Sequence, residues 1–350
     1  MLNAISPATP DWDAFVRQHP RAHALQLSAW GALKHAYGWE VERVALAQDG
    51  QIIAGAQLLF RRLPLRLGTM AYLGMGPLLP PLPSEKEPED KGTNALWAAI
   101  HACARRHRAV FLKCEPGIYA PDEIQPDMTD FGFRPALQSV QPPRTIVIDI
   151  TGSDEEILGR MNQGTRRKIR QSQKNDVRYS EGTRADVAKF NSIMQTTGER
   201  NDFGVHTPDY YERAYDLFVP HDAALLLAEH EGDVLAGVMV FAVGTQAWYL
   251  YGASSSVKRN LMASYGAQWA AIQWAKARGC TRYDLWGIPD EEEATLEAQF
   301  EQRADGLWGV YGFKRGWGGS VMRSVGAWDY VYNPIIYAAY RAAVKYRGSE

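Results

Sequence analysis

Cysteine is scarce in this chain of 350 residues: Cys103, Cys114 and Cys280 are the three present. They are too few and too irregularly spaced for a disulfide framework or a thiolate zinc site, so the expectation is a reducing cytoplasm and no metal. An excess of one charge is lacking too. Lys and Arg number 38 against 40 Asp and Glu, a formal net charge of -2, so any contact with nucleic acid must come from a local basic patch. No uninterrupted apolar run approaches the roughly 18 residues of a membrane-crossing helix. The opening MLNAISPATPDWDAF has no basic region followed by an apolar core, which predicts a protein neither secreted nor membrane-spanning. What is present is ordinary. Apolar residues make up 46%, enough to bury real cores, and the length suits two domains of about 150 residues each.

An internal repeat sets the architecture. GQIIAGAQLLF, from Gly50 to Phe60, resembles GDVLAGVMVF, from Gly232 to Phe241, and the two starts lie 182 residues apart. FGFR, from Phe131 to Arg134, is echoed 180 residues later by YGFK, from Tyr311 to Lys314. Between the paired ends, NALWAAIHACARRHRAVFLKCEP and SYGAQWAAIQWAKARGCTRYDLWG each read as an amphipathic helix with a basic end that leads into a strand. The predicted unit is a hairpin, a helix, a strand and a terminal aromatic-glycine strand, written twice. Such a unit is α+β or mixed α/β, and its Ala-Gly hairpin ahead of a central helix is similar to the acyltransferase fold of the GNAT type. The join is expected near Gln141 to Gly152, which gives domains 1–145 and 146–350. PIIYAAYRAAVKYR near the end reads as a helix with a Tyr337, Tyr340, Val344 stripe that packs on the body of the second domain.

Two stretches carry unusual charge. After SDEE, a capping-box start at Ser153 to Glu156, the segment RMNQGTRRKIRQSQKNDVR sets seven cations against Asp176 alone. Arg166, Arg170 and Lys174 recur every four residues on one helix face, where like charges repel unless an anion compensates. That face is either solvated surface or a phosphate contact. In GVYGFKRGWGGSV, Gly309 to Val321, aromatic residues alternate with glycine, which predicts a strand. Lys314 within it is a snorkelling surface residue or a cation held at a cleft.

Six segments in order, QLSAWGALKHAYGW, the arginine-rich helix, GERNDFGVHTPDYYERAYDLF, WYLYGASS, ARGCTRYDLWGI and YGFKRGWGG, together resemble the FemABX family of non-ribosomal peptidyltransferases. The resemblance implies two tandem GNAT-like domains and transfer of an amino acid from aminoacyl-tRNA to the side-chain amine of a peptidoglycan precursor's stem peptide, forming the interpeptide bridge. It implies no cofactor. The precursor would be UDP-linked or lipid-linked, and a lipid-linked one would bring the protein to the inner face of the plasma membrane as a peripheral contact. Lys34 matches the lysine that contacts the precursor diphosphate, and Tyr210 a substrate-contacting tyrosine. His206 stands where an arginine for phosphate is expected. Tyr249 and Tyr251 alternate with Leu250 and are expected to project from one strand face at the acceptor site. Lys314, in FKRG, matches the lysine that stabilises the oxyanion, and its neighbour Arg315 is assigned to surface or tRNA contact alongside Arg166, Arg170 and Lys174. Glycines 316, 318 and 319 would let the substrate approach the backbone. The segment between Asp284 and Gly309 is long enough for one short helix, so this is a compact member without the family's helical arm.

The general base stays open among Glu115, also counted as substrate-contacting, Asp284 and a substrate phosphate. One rival reading keeps the fold with an acyl-coenzyme A donor, but Arg259-Asn260-Leu261-Met262-Ala263-Ser264 lacks the glycines of a pyrophosphate loop, and DKGTNALW does not supply one. Another rival is a non-catalytic protein that binds the precursor.

Overall fold

The computed structural model describes residues 2–79, 91–120, 127–174, 176–201 and 204–347. Asp90 of DKGTNALW, Asn175 of the basic stretch and Asp202 and Phe203 of GERNDFG lie outside the described residues. The chain divides into two compact units, 1–141 with 324–350, and 142–323.

In the first unit, β1 (Leu2–Ile5), α1 (Thr9–Gln18), α2 (Ser28–His35), β2 (Glu40–Gln48), β3 (Gln51–Arg62), β4 (Thr69–Gly74), α3 (Lys91–Arg106) and β5 (Ala109–Glu115) follow in sequence. The strands lie side by side in that order, antiparallel until β4 and β5, which run parallel. Every residue of β5 is buried. Leu96 and Ile100 of α3 close on Leu58, Phe60, Leu73 and Leu112 of the sheet, as the 3.6-residue stripe of that helix requires.

The second unit repeats the plan. It holds β6 (Arg144–Asp149), α4 (Asp154–Arg160), α5 (Gln163–Lys174), β7 (Arg178–Glu181), α6 (Val187–Asn201), α7 (Pro208–Phe218), β8 (Ala223–His230), β9 (Asp233–Val243) and β10 (Gln246–Ser254). Then come α8 (Ala263–Ala277), β11 (Arg282–Asp284), α9 (Glu293–Gln299), α10 (Trp308–Lys314) and β12 (Ser320–Ser324). The strand order is β12-β6-β11-β10-β9-β8-β7, with β10 and β11 parallel. Ser153 and Glu156 form the reciprocal cap expected at α4.

The repeat has a physical basis in its two Ala-Gly strands. Both hairpins slip register at one place, leaving Ile53 of β3 and Leu235 of β9 as the extra residue. At Gly55 a Cβ would lie 2.6 Å from the Trp12 ring of α1, and at Gly237 one would lie 2.7 Å from the Phe190 ring of α6. Each glycine lets a helix press an aromatic ring onto the sheet. The second echo does not hold. Phe131-Gly132-Phe133 lies in a turn before an extended Arg134, whereas Tyr311 to Lys314 is helical.

The C-terminal segment belongs to the first unit, not to the 146–350 domain expected for it. Strand β13 (Trp328–Val331) pairs antiparallel with β5, and α11 (Pro334–Arg347) sets Tyr337 and Tyr340 against Phe111. An ion pair explains the return. Lys113 of β5 is 4% exposed and meets Asp329 of β13 at 3.1 Å; Asp329 also accepts from Tyr337 Oη at 2.8 Å. Removing one member of such a pair leaves a bare buried charge. Asp329→Ala is therefore expected to lower the unfolding free energy by about 3–5 kcal/mol, whereas Lys189→Ala in the exposed Lys189–Asp186 pair should change it little. Denaturant titration of both variants measures the contrast; equal losses would show that Lys113 finds water.

Candidate active site

Lys314 ends α10, and the strand expected for Gly309 to Val321 is a helix followed by a 3₁₀ turn, Arg315–Trp317. Trp308, Tyr311 and Lys314 are buried at three-residue spacing, which is helical rather than alternating. The glycines that suggested a strand serve the protein's own packing. A Cβ on Gly316 would meet Thr165 Oγ1 at 2.2 Å, and on Gly318, at φ 76°, the Arg160 carbonyl at 2.2 Å. On Gly319 it would meet the Val147 carbonyl at 2.6 Å. Each is required by the protein's own packing, whatever approaches its backbone from the solvent side.

The Lys314 ammonium sits where the sheet parts. In the first unit β4 pairs with β5 as far as Gly74 and Glu115. In the second, β10 pairs with β11 only from Gln246 to Trp248, and Tyr249 to Ser254 run on without that neighbour. Past Asp284 the chain turns through Trp286, whose φ of 60° is rare for a bulky residue. Lys314 Nζ donates to Trp286 O at 3.2 Å and to Gly287 O at 2.6 Å. Two of its three N–H groups are thus engaged, and the third has no protein acceptor among the described residues. The ring of Tyr249 lies 5.8 Å from Nζ. Burial pulls the lysine down to about 7, with the Asp284 carboxylate opposing the fall. Burial pushes Asp284 up to about 6, although its Oδ1 accepts from Trp286 N at 2.6 Å and from Thr145 Oγ1. A buried lysine and a buried aspartate that both titrate near neutrality are what acid–base work in a cleft requires.

The tyrosine pair does not share a face. A bulge at Leu250 sets Tyr249 opposite Val240 and Tyr251 opposite Met239, neighbours that point to opposite sides of β9. Tyr249 packs with the Ile146–Trp317 core and lies so close over Gly252 that a Cβ there would meet its hydroxyl at 2.0 Å. Tyr251 faces α7, where its hydroxyl is 3.1 Å from that of Tyr210 and its ring is edge-on to Phe241. His206 stacks on Tyr210 at 3.8 Å. The expected residues of this unit therefore form two groups, Lys314 with Tyr249 and Asp284, and His206 with Tyr210 and Tyr251. Burial pushes Tyr249 up to about 12 and Tyr251 higher, so both phenols stay protonated.

Lys34 and Glu115 belong to the first unit. Lys34 Nζ lies 4.5 Å over the Trp30 ring, and burial lowers it to about 8. Glu115 is raised by burial, yet both its oxygens are already engaged: Tyr72 Oη donates to it at 2.6 Å, Val140 N at 2.5 Å and Gln141 N at 3.1 Å. It fastens residues 140 and 141 to β5.

The basic helix is partly consumed by the fold. Arg166 caps α4 through Met161 O, and Lys168 donates to Tyr265 Oη at 3.0 Å. Arg170 and Lys174 are exposed, and with Arg166 they line an open groove of about 500 Å³. Arg315 forms a two-pronged pair with Glu297 of α9, so its guanidinium ties α9 to α10. Asp284 and Gly309 are separated by one short helix, α9, as expected. Among the described residues, Glu42, Cys103 and His107 bring ligand atoms within 4.8 Å of one another, a grouping the cysteine spacing did not reveal. His107 already bonds Glu42 at 3.1 Å, and burial pushes the Cys103 thiol up to about 11, away from a metal-binding thiolate.

The FemAB family's sequence profile matches residues 8–127, 131–233 and 229–345. The chain belongs to the FemAB family. A lipid II:glycine glycyltransferase of Staphylococcus aureus (strain USA300) is 26% identical, over 93% of this chain and 92% of that protein. The crystal structure of FemX superposes with a TM-score of 0.84 at 23% identity, covering 96% of this chain and 99% of that one. A tandem GNAT protein from the clavulanic acid pathway matches at 0.51 and 11% identity, over 94% and 98% of the two chains. Identities this low speak for fold, and the fold is the tandem GNAT-like arrangement of a FemAB protein.

The lowered lysine makes stability depend on pH. Folded Lys314 titrates near about 7 and unfolded lysine near about 10.4, so between those values the unfolded chain binds more protons and stability rises with pH. The contribution is at most about 1.4 kcal/mol per unit. Lys314→Met is expected to flatten the rise between about pH 7 and about pH 9, as read by denaturation at both. An unchanged rise would place the perturbed ammonium elsewhere.

Proposed function

We propose that this chain is an aminoacyltransferase that moves an amino acid from aminoacyl-tRNA to the side-chain amine of a peptidoglycan precursor's stem peptide, with Lys314 as the catalytic cation. The reading is supported by membership of the FemAB family and by the relative whose name gives lipid II as its glycine acceptor. The observation that carries it is the buried Lys314 ammonium with one N–H left over at the parting of β10 and β11. In aminolysis the amine nitrogen bonds to the ester carbonyl carbon, and negative charge gathers on the carbonyl oxygen. The C–O bond to ribose then breaks, with one proton leaving the amine and one reaching the ribose oxygen. A fixed donor in a dry cleft stabilises the oxyanion far better than water does. Asp284, raised to about 6 and lying in the same unit as Lys314, is a better base than Glu115, whose oxygens are engaged. Lys34 is assigned to the precursor diphosphate as a point charge, and His206, Tyr210 and Tyr251 to a substrate-contacting surface on the other face of the sheet.

An acyl-coenzyme A donor is disfavoured by the turn before α8. The amides of Leu261 and Met262 donate to the carbonyls of Lys258 and Arg259 at 3.0 and 3.1 Å, so they are not free to cradle a pyrophosphate. Arg170 and Lys174 supply exposed cations for the tRNA backbone instead.

Transfer assays with charged tRNA and with acetyl-coenzyme A test the donor; activity with the coenzyme alone would sink this reading. Lys314→Met is expected to lower kcat by about a hundred- to a thousandfold while sparing precursor affinity. Lys34→Met, a ground-state clamp, should raise KM and leave kcat near its original value. Equal kcat losses at both positions would remove Lys314 from the chemistry. Replacing Arg170 and Lys174 with Gln should reduce the log-log salt slope of tRNA binding by about 0.7 for every phosphate that is no longer neutralised. A slope that does not change would make α5 a solvated face.

A further inference from the structure

The loop between β3 and β4, LPLRLG from Leu63 to Gly68, has no part in the chemistry above. Leu65 and Arg66 stand at φ 57° and 56°, a region that bulky residues rarely enter. Leu65 is 88% exposed and Leu67 44%. The base of the loop is firmly held. Leu63 N donates to Gly68 O at 2.9 Å and Thr69 N to Arg108 O at 3.1 Å. Gly68 lies so close to the Arg108 carbonyl that a Cβ would meet it at 2.7 Å. The foot of the loop is thus fastened to the turn between α3 and β5, and two leucines stand out in water, Leu65 on a strained backbone. Holding large apolar side chains there is unfavourable unless an apolar medium receives them.

Cations gather at the foot of the same loop. Arg62, Arg66, Arg106 and Arg108 line a depression of about 470 Å³ together with Glu40 and His107. Glu40 is shared between Arg62 at 3.3 Å and His107 at 3.5 Å, and the other three arginines have no acidic partner among the described residues. Leu63 packs into the same small cluster as Ile336 of α11, whose neighbour Ile335 is 84% exposed. No helix among the described residues is long and apolar enough to cross a membrane, and the loop meets a bilayer from its surface. Exposed leucines on a loop with guanidinium groups clustered at its foot match that surface, leucines at the acyl boundary and arginines at the phosphates. A polynucleotide would engage the arginines and leave the leucines in water.

We propose that the Leu63–Gly68 loop docks this protein on a bilayer of anionic phospholipid. The docking goes beyond the transfer reading and holds whichever acceptor is used, because it stands on the loop itself. The test is co-sedimentation of the full chain with vesicles of phosphatidylglycerol and phosphatidylcholine in equal parts, and with phosphatidylcholine alone. The unmodified chain is expected to sediment with the anionic vesicles, and failure to do so overturns the proposal without need of a variant. Leu65→Asn with Leu67→Ser, where Asn tolerates the left-handed backbone, should weaken binding about tenfold. Arg66→Asn with Arg106→Gln should weaken it about 25-fold, fivefold for each cation. Undiminished binding by the leucine pair, equal binding to neutral vesicles, or arginine-dependent binding to an RNA oligonucleotide with none to vesicles would each overturn it. Because sedimentation requires no turnover, its result is independent of the transfer assay.

Discussion

The parting of β10 from β11 after Trp248 is the constraint on which the second unit turns. A sheet that opens leaves backbone carbonyls without partners, and buried carbonyls must be satisfied. Here the carbonyls of Trp286 and Gly287 are taken by the Lys314 ammonium. The lysine reaches them because α10 presents it on the same buried stripe as Trp308 and Tyr311. Glu297 then holds α10 through Tyr311 and Arg315. A charge has been buried to close a gap in hydrogen bonding, and that burial brings the ammonium to a titration point near neutrality. Structure and proposed chemistry share one cause.

The two units have diverged around this feature. Each keeps the bulged hairpin, the Ala-Gly strand under an aromatic ring and the parallel strand after the central helix. In the first, β4 and β5 pair to the end of β4, and Glu115 binds residues 140 and 141 where the second unit has its opening. The first unit also gains β13 and α11, which are drawn back by the need of Lys113 for a counter-charge in a strand buried throughout. Duplication supplied two sheets, and differences of a few residues at the strand ends gave them different uses.

Much of this was legible in residue patterns. The spacing of the two Ala-Gly strands, the helix-to-strand succession, the capping box at Ser153 and a short helix soon after Asp284 all rest on local preferences that a sequence displays directly. Lys314 also stood out, as a cation among aromatic residues. The wrong expectations share a different character. A regular strand alternates and would set Tyr249 and Tyr251 on one face, and a bulge of one residue reverses that. The run from Gly309 to Val321 mixes aromatic residues and glycines in a way that fits period two as well as period three, and only its contacts with α4, α5 and α9 select the helix.

Short-range steric and hydrogen-bonding preferences act within a few residues, so the sequence by itself determined most of the elements, the duplicated Ala-Gly hairpin and the candidate residues. It could not decide what lies across space. That Asp329 answers Lys113, that Gly318 makes room for the Arg160 carbonyl, and that Arg315 is held by Glu297 are pairings between distant segments. The lowering of Lys314 is of the same kind. It depends on how completely the surrounding elements exclude water, and desolvation is a property of the assembled core rather than of any stretch of chain.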